Sequence, residues 1–294
     1  MCGRVTLIAE PTGLAEALGF DAPSDAPADA PAPGWLADLL PRFNVSPSQP
    51  LVAARRDPVD GDPALAALRW GLVPAWSRTA AGGPKMINAR AETVGIRPAF
   101  RDAFARRRCL IPVSGFYEWR RTGGRKQPFY FHASDGRLLA LAGIWESWSP
   151  PGDAGGDAAG DVAADATPAA TDAAADPATD AAMAATAAAA NRPAPVPLET
   201  CAILTTAANE LMAPIHDRMP VILPPDAYRT WLDVPLGDGR PNRSATSRAR
   251  LQELLRPCPS GWLACHPVHP RVNRGTVDDP ACIEPWSEEQ ALFE

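Results

Sequence analysis

Short apolar runs rich in Val, Ile, Leu and aromatics, each closed off by Gly or Pro, recur along the chain. VTLI near the start and PLVAAR at 50–55 have the length and composition of strands. So do ALAALRWGLVP at 64–74, RCLIPVSGFYEW at 108–119, PFYFHAS at 128–134 and LLALAGIWESW at 138–148. ETCAILTTAAN at 199–209 and RMPVIL at 218–223 complete the set. Helical spacing is rarer. It predicts helices over 12–20, 97–107 (with Pro98 near the start), 225–233 and 247–256. Strands and helices do not alternate, which argues against a doubly wound parallel sheet. The expected fold is α+β: a single β-rich domain over 2–294 with a barrel-like or sandwiched mixed sheet and a few flanking helices.

Two stretches interrupt this pattern. Residues 150–197 are Ala, Asp, Pro and Gly with almost no large apolar side chain, and residues 21–33 share that character. Such segments bury too little surface to offset their ordering entropy, so both read as disordered insertions within the domain. They also change the meaning of the charge. The chain carries a formal −6, but 150–197 hold seven Asp and one Arg, a balance of −6. Four more Asp and no cation lie in 20–40, so the remaining part is mildly basic. A nucleic-acid partner is therefore compatible with the net acidity.

No uncharged apolar run of about 18 residues predicts a membrane span. The start lacks the long apolar centre of an export signal. The six cysteines form no C-x-x-C pair and are expected to be reduced thiols of a cytoplasmic protein. CPSGWLACHPVH at 258–269 matches no ordinary zinc spacing, so neither a metal nor another cofactor is expected.

Cys2 is the candidate for chemistry. A small second residue permits removal of Met1, which would give Cys2 a free α-amine beside its thiol. Their ordinary pKa values, about 8 and about 8.5, leave a reactive fraction of each at neutral pH. A 1,2-aminothiol reacts with an aldehyde through a Schiff base, which the thiol then closes to a thiazolidine. Position alone favours an ordinary terminal residue, and neighbouring motifs reverse that reading.

Seven blocks occur in order: MCGR at 1–4, RFNVSPSQ at 42–49, RWGLVPAW at 69–76, INARAET at 87–93, LIPVSGFYEW at 110–119, LAGIWE at 141–146 and LTTAANELMAPIHDRMPVIL at 204–223. Together they resemble the SRAP family, the SOS-response-associated peptidases. The resemblance implies a sensor of abasic sites in single-stranded DNA, acting in the DNA damage (SOS) response. Its N-terminal Cys crosslinks to the ring-opened sugar after self-processing removes Met1. It implies Cys2 as nucleophile, Asn88 beside the active centre, and Glu118 as the acid/base that opens the sugar. His216 is expected to move protons, oriented by Asp217 unless Asp217 pairs with Arg218.

DNA contacts are expected from Arg4 and Asn44 near Cys2, and from Arg90 through its guanidinium fork. Arg97 and Arg101 are expected on a basic edge with Arg106, Arg107 and Arg108. Trp70, Pro74 and Trp76 could stack or wedge against bases, with core packing as the rival reading. A monomer with abasic single-stranded DNA as its partner is expected, near the replication machinery. The competing reading is an N-terminal-nucleophile cysteine amidohydrolase or peptidase acting on an amide or protein.

Overall fold

The computed structural model describes residues 2–19, 33–58, 61–151, 196–232 and 245–287. Most of both acidic insertions, residues 21–32 and 152–195, lies outside them. Among the described residues the strands are β1 (Val5–Leu7), β2 (Arg42–Val45), β3 (Pro50–Arg56), β4 (Pro63–Trp70) and β5 (Asn88–Arg90). They continue as β6 (Arg108–Val113), β7 (Gly115–Thr122), β8 (Arg125–Ala133), β9 (Leu139–Trp148) and β10 (Leu198–Ala207). The last are β11 (Arg218–Pro220), β12 (Ile222–Leu223) and β13 (Leu263–Pro267).

These strands form two sheets. The smaller runs β13-β8-β7-β1-β2. The larger contains the series β10-β4-β3-β6-β9, and β10 also pairs with β9. That second pairing closes five strands into a barrel. β10 meets β4 in parallel and β9 antiparallel, with Cys201 opposite both Trp70 and Trp145. Closure leaves these five strands without a free edge. The expected α+β fold with a barrel-like sheet and few helices is the observed one.

Period-two patterning explains the two cores. Leu51, Ala53, Cys109, Ile111, Leu141, Cys201 and Ile203 join one cluster with Phe116 and Phe131 of the smaller sheet. Ala54, Leu110, Ala142, Ile144, Ala202 and Leu204 face the other way and pack with Phe104 and Trp231. The latter two lie in the helices Arg101–Arg106 and Tyr228–Leu232. Strands buried on both faces read as continuous apolar runs, which is why RCLIPV shows no alternation.

RCLIPVSGFYEW is two strands, not one. β6 belongs to the barrel and β7 to the smaller sheet, and the chain switches at Ser114. Ser114 Oγ accepts from the Ile8 N–H at 2.7 Å, which ties this corner to the end of β1. Similarly, RMPVIL divides into β11 on β10 and β12 on β9. The helix expected over 97–107 is shorter, Arg101–Arg106.

Gly143 lies opposite Cys109 in the β6–β9 register. A Cβ there would sit 2.7 Å from Cys109 Sγ and 2.8 Å from Ile111 Cδ1. Gly143→Ala should therefore cost about 1–3 kcal/mol by overpacking. Denaturant unfolding should show part of that loss restored when Cys109→Ala is added.

Candidate active site

The first residues are held as an inner strand. β1 pairs with β7 through Val5↔Phe116 and with β2 through Val5↔Val45. The Tyr117 N–H donates to Arg4 O at 3.0 Å, so the terminus runs alongside β7 toward Glu118. Cys2 is fully buried in the cluster of Val5, Val45 and Phe116. Asn88, on β5 of the other sheet, donates from Nδ2 to Cys2 O at 2.7 Å. Asn88 Oδ1 is buried and accepts no hydrogen bond among the described residues.

Glu118 lies on the same face of β7 as Phe116 and is 2% exposed. Burial raises the Cys2 thiol well above its ordinary range, and the Glu118 carboxylate raises it further. The thiol is thus neutral at physiological pH. Nucleophilic attack by sulfur then requires a base to take its proton.

His216 lies in the loop between β10 and β11. Its Nδ1 is 2.9 Å from both the Arg218 N–H and Asp217 Oδ1. The two contacts make opposite demands on Nδ1, since the backbone N–H needs an acceptor there and the carboxylate needs a donor. Asp217 therefore stands beside His216, while Arg218 pairs with Glu92 at 2.6 and 3.0 Å. That pairing is the first cause of the lowered Glu92 pKa.

Glu118 and His216 line one cleft of about 760 Å³. Trp119, Arg120, Arg121, Lys126 and Asn273 line it too, and none of the sequence motifs gives these five a role. Trp119 Nε1 donates to Asn273 Oδ1 at 2.6 Å, across 154 residues of sequence. Nothing local in the sequence announces that contact. Cys2 itself is wholly covered.

The residues expected on DNA separate into two groups. Trp76 is 68% exposed, and Arg90, Arg97 and Arg101 are exposed as well. Trp70 is fully buried and donates from Nε1 to Ile87 O at 2.9 Å, a position that offers no face to a base. Pro74 is buried too. Of the expected basic edge, Arg107 pairs with Glu146 at 2.6 Å. Arg108 is buried and donates to the carbonyls of Phe104 and Ala105. Those two cations hold the fold rather than a surface.

Asn44 is likewise internal. Its Nδ2 reaches the carbonyls of Val272, Arg274 and Val277 at 3.2, 3.1 and 2.7 Å. Its Oδ1 accepts from Arg4 Nη1 at 2.7 Å, and Arg4 also donates to Val272 O and Asn273 O. The pair fastens the segment that carries Asn273 into the cleft wall. Cys109, Cys201 and Cys282 are buried thiols, as their apolar contexts imply. Among the described residues no group of three or more His, Cys, Asp or Glu is placed to hold a metal ion. No helix among them is long and apolar enough to cross a membrane.

A closed barrel beside a second sheet, whose first strand follows a Cys2 held by Asn88 near Glu118, defines a class that sequence comparison identifies. The chain belongs to the SOS response associated peptidase (SRAP) family, whose pattern matches residues 1–275. It is 32% identical over 285 residues to the abasic site processing protein YoqW of Bacillus subtilis, covering 97% of this chain and 99% of that one. The abasic site processing protein HMCES of Gallus gallus is 28% identical over 316 residues, covering 97% of this chain and 78% of that one. Among solved structures, a protein from Bacteroides thetaiotaomicron shares the fold with a TM-score of 0.68 at 21% identity. That likeness covers 97% of this chain and 100% of that one.

Two outcomes follow from this geometry. Glu118→Gln removes the second cause of the raised Cys2 thiol, so alkylation of Cys2 should begin at lower pH. The pH profile of iodoacetamide labelling, read on the N-terminal peptide by mass spectrometry, checks this. Asn44→Ala takes the Asn44 donor from the carbonyls of Arg274 and Val277, while Val272 O keeps Arg4, and should cost about 1–3 kcal/mol. A denaturant melt measures it, and limited proteolysis should begin within residues 270–279.

Proposed function

We propose that this protein processes abasic sites in single-stranded DNA by forming a covalent bond through Cys2, as part of the response to DNA damage. The observation that carries the reading is the Cys2 main chain held by Asn88 beside the Glu118 carboxylate. The names of its relatives point to abasic-site processing, and the chemistry below is our own step beyond them.

In the chain that retains Met1, the Cys2 nitrogen is an amide and cannot attack. Self-processing removes Met1 and supplies the amine. Ring opening of the abasic sugar exposes an aldehyde, and the buried Glu118 side chain can exchange the proton involved. The amine lone pair attacks the aldehyde carbon, and loss of water gives the Schiff base. The neutral thiol then adds across the C=N bond. Sulfur bonds to carbon, and the thiol proton is taken up by Glu118 and passed on to the nitrogen. The thiazolidine forms with no redox change.

A neutral thiol suits this order, because the amine attacks first and sulfur only closes the ring. The open acceptor of Asn88 Oδ1 can orient the amine or a sugar hydroxyl. His216 lines the same cleft as Glu118, where its imidazole can exchange a proton. Arg90, Arg97 and Arg101 provide exposed cations for phosphates, and Trp76 provides an exposed ring for a base.

Incubating the Met1-processed protein with an abasic single strand, then denaturing, should yield a stable adduct. Cys2→Ala should abolish it, and intact DNA should give none. Glu118→Gln should slow its formation on the order of 10²-fold, the scale of a lost general acid or base. Ammonia release from glutamine with no adduct would overturn the proposal in favour of an amidohydrolase.

A further inference from the structure

Four cations lie within seven residues of one hairpin: Arg120, Arg121, Arg125 and Lys126. β7 and β8 pair in unbroken register from Gly115↔His132 to Thr122↔Arg125. Only Gly123 and Gly124 remain between the strands, with φ of 56° and 81°. Two successive positive φ values mark the type I′ turn, whose twist matches that of the paired strands. The arm is therefore a continuous ribbon that carries its cations in fixed register.

Arg121 stands directly opposite Lys126, and both are exposed. Like charges in that relation weaken strand pairing. Neither forms an ion pair among the described residues. The Arg120 guanidinium is steadied 4.9 Å above the Phe129 ring. All three line the cleft that contains Glu118 and His216. At about 3.3 Å per residue, Arg121 lies roughly 10 Å along the ribbon from Glu118. That separation places the cation beside nucleotides that flank the reacting one.

The edge of β7 adds a second observation. β1 covers it only as far as the Tyr117 N–H bond to Arg4. By strand periodicity the N–H groups of Trp119 and Arg121 point to that same edge beyond the last β1 partner. Cationic side chains and backbone donors thus border one side of the cleft.

We propose that the β7–β8 ribbon is a phosphate-binding arm for the strand that flanks the reacting nucleotide, with Arg121 and Lys126 each neutralising one phosphate. This rests on the abasic-DNA reading of the site. The rival account of such cations is protection of an exposed sheet edge against association with other chains.

Binding of a fluorescein-labelled intact single-stranded 20-mer, followed by anisotropy at increasing KCl, separates the two. Intact DNA is used so that the result is independent of crosslinking. Arg121→Gln with Lys126→Gln should flatten the slope of log K against log salt by about 1.4, or about 0.7 for each phosphate lost. Arg137→Gln, an exposed cation beside Asp135, should leave the slope unchanged. An unchanged slope in the double variant, with its melting temperature retained, would overturn the arm. So would a variant that aggregates but binds DNA as before. If the parent protein binds with the full slope yet never crosslinks abasic DNA, the crosslinking reading fails and the arm stands.

Discussion

The site depends on the backbone hydrogen bonds that hold the start of the chain between β2 and β7. Chain termini ordinarily fray unless something ties them down. Here β1 is an inner strand of the smaller sheet, so Cys2 is carried to a fixed place beside Glu118. The corner at Ser114 fixes the other end of β1 through its bonds to Ile8. A few main-chain bonds therefore set the position of the residue on which the proposed chemistry turns.

Burial and reactivity oppose each other at that point. Desolvation holds the Cys2 thiol protonated, and a nearby carboxylate strengthens the effect. A thiolate protease would need the opposite environment, a positive neighbour or a helix N-terminus. A thiol that adds late, after an amine has made the electrophile, is compatible with staying neutral. Burial of the thiol in the chain that retains Met1 is therefore consistent with aminothiol chemistry, and the N-terminal ammonium works against the rise.

The cleft wall has its own dependence. Asn44 and Arg4 bind the carbonyls of the segment around Asn273, and Asp278 accepts from the N–H groups of Phe43 and Asn44 while pairing with Arg42. Residues of β2 thus fix the far end of the chain, which in turn meets Trp119. The RFNV block serves as an internal anchor, with its amide satisfying carbonyls that no strand would reach.

Much of this was legible in the residues themselves. The apolar runs indicated most of the strands, and the ordered motifs from MCGR to IHDRMP singled out Cys2, Asn88, Glu118 and His216. Periodicity could not show that RCLIPVSGFYEW divides between two sheets, because both halves are buried and neither alternates. Nor could it separate Trp70 in the core from Trp76 at the surface, six residues away in the same motif. Asn44 reads as a polar residue near the terminus in sequence and as a loop anchor in space. Arg121 and Lys126 lie in RRTGGRK, to which no motif gives a role, and only the pairing of β7 with β8 sets them on the cleft. Residue types and local order determined the strands and the chemically able side chains. Only long-range pairing decided which of them share a cleft, because burial and register depend on contacts between residues far apart in the sequence, such as Asn88 with Cys2 and Trp119 with Asn273.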